Sequence, residues 1–200
     1  MPAPQTSGPG GLPVERGHFL LESGLHSDSW LELDALFIDP AAVAAQVEAL
    51  AELIAPHGVS AVCGPLLGGA FVAQAVATRL GLRFYVAEPG TPAPDGAALF
   101  RAVYRLPAGQ ARRAPGERFA VVDDVVSAGS SVRATVAELA GLGAEVAVIG
   151  ALLRLGDRAL EHFAGAGIPL VAPAARDFAL WEPGRCPLCQ AGTPVQRRQG

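Results

Sequence analysis

The chain has 200 residues, half of them hydrophobic, with 15 basic and 19 acidic side chains and a formal net charge of −4. That is enough apolar material for one ordinary domain with one core, and so mild an acidity gives no electrostatic basis for a nucleic-acid or membrane partner. No apolar run approaches the roughly 18 residues of a membrane span, Met1–Gly11 lacks the charged-then-apolar order of a signal peptide, and three cysteines are too few, and odd in number, for a disulfide framework, so the cytoplasm is the expected location.

Met1–Gly11 reads as a Pro/Gly-rich flexible tail. Pro40 opens an Ala/Val/Leu stretch with helical spacing that runs to Ala55 and is stopped by Pro56-His57-Gly58. Val59–Cys63 is a short apolar strand ending at Gly64. Gly69–Leu80 is a second helix closed by Gly81, and Leu82–Val86 another strand. Ala87–Gly116 is rich in Pro, Gly and Arg, with Ala97–Leu106 able to pair as strands; so long an irregular stretch in a compact domain is usually functional or mobile. Arg118–Val122 (strand), Val132–Leu142 (helix), Glu145–Leu153 (strand), Asp157–Ala164 (helix) and Ile168–Val171 (strand) follow, and Pro173 begins a tail with one helical turn. The organisation is a tail over 1–11, one domain over 12–172 and a C-terminal tail over 173–200 that carries a C-x-x-C. Alternating strands and helices predict an α/β fold with a parallel, Rossmann-like sheet covered on both faces. Ligands of such sheets bind beyond the carboxyl ends of the strands, which directs attention to Gly64, Asp123 and Arg154.

The segment Phe119-Ala-Val-Val-Asp-Asp-Val-Val-Ser-Ala-Gly-Ser-Ser131 runs an apolar strand into two adjacent carboxylates, then a short Ser/Gly loop, then a helix. Free N–H groups and the dipole at a helix start attract an anion. Ser130 and Ser131 add hydroxyl donors, and Gly129 allows close backbone approach, so the loop suits a phosphate monoester. Asp123 and Asp124 exceed what that phosphate needs. Two acceptors beside a phosphate cradle suit a sugar diol, and a ribose 5-phosphate satisfies both halves. A solvated Asp pair followed by an N-cap serine is the bland alternative, and the whole run in its strand-to-helix context argues against it.

Val121–Ser131 resembles the phosphoribosyl-pyrophosphate signature of type I phosphoribosyltransferases. Leu20–Trp30 resembles the N-terminal segment of the orotate members, and Gly64-Pro-Leu-Leu-Gly-Gly69 is similar to the family's pyrophosphate loop. The likeness spans about Gly17 to Val171. It implies the type I phosphoribosyltransferase fold with a small N-terminal hood, a cytoplasmic homodimer, magnesium, and transfer of the ribose 5-phosphate of phosphoribosyl pyrophosphate (PRPP) to orotate, a step of pyrimidine nucleotide biosynthesis, with release of pyrophosphate. By the same resemblance Asp123 and Asp124 hold the ribose hydroxyls, with Val125 and Ser127 beside them, and Ala128, Gly129, Ser130 and Ser131 hold the 5-phosphate. Gly64, Pro65, Leu66, Leu67 and Gly68 hold pyrophosphate, and Ser23, Gly24, Ser127 and Arg154 face the base. An arginine fork at a strand end suits a ligand carboxylate; an ion pair of Arg154 with Asp157 or Asp123 is the equal alternative. Another nucleobase as acceptor, or a non-catalytic PRPP sensor, are the competing readings.

The pattern departs from the family in one respect. Orotate enzymes use lysines on a mobile loop and beside the Ser-Gly pair, whereas all 15 basic residues here are arginines. Glu22 stands before Ser23-Gly24, and the loop within Glu88–Gly116 offers Arg101, Arg105, Arg112 and Arg113. Arg105 is the expected catalytic cation of that loop; arginine grips phosphate but does not readily give up a proton. The same arginines could instead only solubilise an exposed loop.

Cys186-Pro-Leu-Cys189 supplies two of the four ligands that a structural zinc requires. Cys63 falls on a strand and no histidine follows Cys189, so a site would have to be shared between the tails of two chains; the alternatives are a redox pair or no ligand at all. His18 and His26 flank the Ser-Gly segment and read as surface or satisfied core residues, with His26 within reach of the base pocket. Trp30 reads as core.

Overall fold

A computed structural model describes residues 14–91 and 99–198; the tail over 1–11 lies outside them. β1 (Val14–Leu20) and β2 (His26–Leu31) form an antiparallel hairpin. Asp39 caps the following turn by accepting from Ala41 N, Pro40–Val43 is a 3₁₀ turn, and α1 runs Ala44–Ile54. Next come β3 (Ala61–Pro65), α2 (Gly68–Leu80) and β4 (Arg83–Pro89). Gly81 ends α2 with φ +68, a left-handed conformation that glycine adopts without a Cβ penalty. Of the stretch expected to pair as strands, Tyr104–Arg105 (β5) does so, antiparallel to β4, and a short helix α3 (Ala108–Ala111) follows; residues 92–98 lie outside the description.

β6 (Arg118–Val126), α4 (Ser130–Gly141), β7 (Glu145–Leu155) and α5 (Arg158–Gly165) complete the repeating units. β6 continues past the expected end at Val122 because the longer β7 beside it pairs with it as far as Val126. The ladder carries Asp123 opposite Ala151 and Val126 opposite Arg154. β8 (Leu170–Val171) and β9 (Ala174–Arg176) both pair with β7.

The main sheet has the order β5-β4-β3-β6-β7-β8, with β5 alone antiparallel. Alternation along its strands splits the core. Val62, Ala120, Val122 and Val148 face α1 and α2, while Cys63, Phe119, Val121 and Ile149 face α4 and α5. Both faces are apolar, as a covered parallel sheet demands. The chain first winds from β3 out to β4, then returns to β6 on the other side of β3. That reversal opens a crevice between the carboxyl ends of β3 and β6.

Residues beyond 173 pack on the domain. Trp181 exchanges backbone hydrogen bonds with His26, N–H to O in both directions at 2.8 and 2.9 Å. A 3₁₀ turn (Pro183–Arg185) leads to the short helix α6 (Pro187–Gln190), and β10 (Gln196–Arg197) lies parallel to β1, making the hairpin three-stranded. Polar β2, His26-Ser-Asp-Ser-Trp-Leu31, carries little apolar periodicity, so neither the hairpin nor its third strand is visible as a hydrophobic pattern.

The turn from β3 into α2 folds back on itself so tightly that a Cβ on Gly64 would sit 2.0 Å from the Gly69 carbonyl oxygen. Gly64→Ala is therefore expected to cost about 2–3 kcal/mol of stability, since backbone rather than a mobile side chain must yield. A lowered urea midpoint checks this.

Candidate active site

The site forms where β3 and β6 end. Asp123 and Asp124, both buried, lie at the end of β6 and turn back on their own backbone: Asp124 N donates to Asp123 Oδ1 at 3.0 Å and Val125 N to Asp124 Oδ1 at 2.7 Å. Ser131 Oγ, in the first turn of α4, donates to Asp123 Oδ2 at 2.7 Å. Burial, and then the Asp124 charge, push the Asp123 carboxyl well above its ordinary range against the pull of the Ser131 hydrogen bond.

Gly129 takes φ +77 just before α4, turning the loop so that the helix's first N–H groups face outward from the sheet end. Ser130 Oγ is buried and has no hydrogen-bond partner among the described residues. The β3–α2 turn presses on the carboxylates from the other side: a Cβ on Gly68 would lie 2.1 Å from Asp124 Oδ2, and one on Gly69 2.6 Å from Asp123 Oδ1. The peptide between Leu66 and Leu67 is cis.

Above these loops opens a cavity of about 370 Å³. Its floor is Leu67, Gly68, Asp124, Val125 and Ser127–Ser131. Its other wall comes from the hairpin, with Leu21–Ser23 and Ser29–Leu33, and from the C-terminal segment, with Phe178 and Arg198. Glu22 opens on this cavity yet is crowded by protein. Burial raises its pKa, opposed by a hydrogen bond from the Tyr104 hydroxyl at 3.3 Å.

Against this geometry, the chain is 31% identical to the orotate phosphoribosyltransferase of Caldanaerobacter subterraneus subsp. tengcongensis over 182 residues, 91% of this chain and 88% of that protein. With the orotate phosphoribosyltransferase of Thermus thermophilus it shares 34% over 181 residues, 90% and 91% of the two chains. The chain belongs to the orotate phosphoribosyltransferase family. No family model matches it. Among solved structures, the orotate phosphoribosyltransferase of Aeropyrum pernix superposes with a TM-score of 0.63 at 26% identity, covering 81% of this chain and 87% of that one. An adenine phosphoribosyltransferase from Thermoanaerobacter pseudethanolicus shares the fold alone, at TM-score 0.57 and 18% identity over 74% of this chain and 88% of that one. The α/β fold is thus that of the type I phosphoribosyltransferases.

Set on this family member, the sequence-derived residues fall into two groups. Asp124, Val125, Ser127, Ala128, Gly129, Ser130, Ser131, Leu67, Gly68 and Ser23 meet at the cavity, and Asp123 stands behind Ser131. Gly64, Pro65 and Leu66 shape the turn beneath it, while Gly24 (φ +80) sits one residue back from the wall. Arg154 and Arg105 lie elsewhere. Strand alternation puts Leu153 and Leu155 on the hairpin side of β7 and Arg154 on the opposite face. There its guanidinium is ion-paired to Asp157 and donates to Gly156 O at 2.5 Å. Arg154 therefore carries the ion pair that is one of its two readings from sequence. Arg105 is held by Glu138 of α4 at 2.8 Å; that acid is largely buried and requires a cation. None of Arg101, Arg105, Arg112 and Arg113 lines the cavity.

Phe178 and Arg198 are cavity residues that sequence reasoning missed, and Trp30, read there as core, forms part of the wall. His26 does not reach the cavity; it packs with His18 and the two C-terminal cysteines. That contact between hairpin and C-terminal segment, had it been recognised from the C-x-x-C, was the one signal placing residues 178 and 198 at the site.

Proposed function

We propose that the chain transfers the ribose 5-phosphate group of PRPP to orotate and releases pyrophosphate. The observation that carries this reading is the convergence of the buried Asp123–Asp124 pair with two glycine-bearing loops at the switch point of the sheet, in a member of the orotate phosphoribosyltransferase family. The first turn of α4 offers backbone N–H groups, and Ser130 a buried hydroxyl in need of a partner, to the 5-phosphate. The Asp pair accepts from the ribose hydroxyls, and the turn Gly64–Gly69 brings backbone groups to the pyrophosphate. A nitrogen of the base then attacks C1 as the bond to pyrophosphate breaks. Ser23 and Ser127, both at the cavity, are the polar groups this reading assigns to the base.

Magnesium fits this site: two crowded buried carboxylates present hard oxygen donors and gain from a cation. Asp123 and Asp124 would hold the magnesium complex of the substrate, in which the ion neutralises charge growing on the leaving pyrophosphate. The protein's own donors act on that charge where it develops. The loop arginines stand outside this cavity, so a clamp on pyrophosphate by Arg105 or its neighbours could reach across to a partner's site. That fits a homodimer.

Pyrophosphate release from magnesium PRPP, assayed with orotate, uracil, adenine, guanine, hypoxanthine and no base, tests the assignment. Release with orotate alone is expected. Release with a different base overturns the acceptor. Binding of PRPP with no release under any condition makes the chain a sensor.

A further inference from the structure

We propose that His18, His26, Cys186 and Cys189 form a tetrahedral zinc site within a single chain, which fastens the C-terminal segment to the N-terminal hairpin. One ligand atom from each residue lies within 4.8 Å of all the others. His18 Nε2 is 2.8 Å from His26 Nδ1, 3.4 Å from Cys186 Sγ and 3.7 Å from Cys189 Sγ, and His26 Nδ1 is 3.3 Å from Cys189 Sγ. Zinc–sulfur bonds of about 2.3 Å and zinc–nitrogen bonds of about 2.0–2.1 Å at tetrahedral angles put neighbouring ligand atoms about 3.3–3.8 Å apart. Three of the four separations, 3.3, 3.4 and 3.7 Å, fall in that range.

Three further observations point the same way. His18 is 0% exposed, His26 6% and Cys186 0%, so ionisable groups are buried here with chiefly one another for partners. The ligands come from the β1–β2 hairpin and the α6 turn, 160 to 171 residues apart in the chain, which hydrophobic packing alone has little reason to join at four polar atoms. His18 Nδ1 is 2.8 Å from Thr193 O. A carbonyl only accepts, so Nδ1 carries the proton and the Nε2 lone pair faces the cluster. A carbonyl fixing the outer nitrogen of a ligating histidine is the usual support of a zinc site. Both cysteines are free.

Two thiolates and two imidazoles select zinc over magnesium or calcium. On binding, the two thiol protons leave to solvent, two zinc–sulfur and two zinc–nitrogen bonds form, and no electrons move. The metal would sit behind the cavity wall, since the hairpin supplies Leu21–Ser23 to that wall and the C-terminal segment supplies Phe178 and Arg198.

Metal analysis of the purified chain after dialysis should find about one zinc per chain. Cys189→Ser should lower this at least tenfold, and Cys189→His, which keeps four ligands, should retain it. Cys189 is exposed, so the fold should tolerate both changes. Cobalt added to the stripped, reduced chain should give the thiolate charge-transfer and visible bands of a tetrahedral site, absent in Cys189→Ser. A folded wild-type chain that holds no zinc as purified and gives no such bands overturns the proposal. So does zinc content unchanged in Cys189→Ser, or a Cys186–Cys189 disulfide in the chain as purified under reducing conditions.

Discussion

Replacing Asp123 and Asp124 together by Asn is expected to lower kcat/KM for the proposed transfer by about 10³-fold or more while the chain still folds. The amides keep the shape of the carboxylates, and their oxygens can still accept from Ser131 Oγ and from the backbone N–H groups that bind them now. What disappears is the negative charge that accepts from two hydroxyls and supports the magnesium complex. Stability should move the other way. Burial and the neighbouring Asp124 raise the Asp123 pKa above its ordinary value of 3.8. Between that value and the raised one the folded chain therefore binds more protons than the unfolded chain, and stability falls as pH rises through this window. Asn carries no such titration. In magnesium-free buffer the Tm of the variant should accordingly gain on that of the wild type as pH is taken upward from 4. Thermal melts across pH 4–8 read this directly. A Tm difference independent of pH would show that the pair is not held against its charge, and retained turnover would remove it from the mechanism.

Gly68→Ala should reduce kcat/KM by about 100-fold, the scale of loss that a displacement near 1 Å produces in a preorganised site. The new Cβ would stand 2.1 Å from Asp124 Oδ2 and 2.6 Å from its carboxyl carbon, so the carboxylate has to swing away or the turn has to lift. Either movement spoils the meeting of the two loops on one ligand. The nearest atoms here belong to a side chain, whereas at Gly64 they are backbone, so Gly68→Ala should lower the urea midpoint less than Gly64→Ala. The loss should fall on PRPP, with a raised KM for it, rather than on the base. A variant with native kinetics would mean that the two loops do not act on one substrate.

The central sheet was legible because each strand is a short, nearly continuous apolar run between turn signals, and because a parallel sheet buries both faces. The Asp-Asp–Ser/Gly loop was legible for a different reason: it needs residues of special chemistry at a fixed place between a strand and a helix. The hairpin β1–β2 was not, since Ser27 and Ser29 are buried where a pattern reader expects apolar side chains. Arg154 and Arg105 were ambiguous because a guanidinium serves a ligand carboxylate and a protein carboxylate alike. In the structure Arg154 pairs with Asp157 and Arg105 with Glu138. The C-x-x-C gave half a cluster, and nothing in its vicinity tells that the other half lies on β1 and β2.

The parallel pairing of Phe19 with Gln196 has a consequence for the order in which the protein is made. Residues 14–31 leave the ribosome long before residues 181–197 exist, so for most of synthesis the hairpin is two strands, a form marginal on its own in water. The sheet domain can fold first, around its local βα units. The three-stranded sheet of β1, β2 and β10 must wait for contacts of very large sequence separation, whose closure entropy is met last. Nascent chains stalled short of residue 181 should therefore carry a folded sheet with an open cleft. Competence to bind the base would then be acquired only once residues 181–198 have emerged.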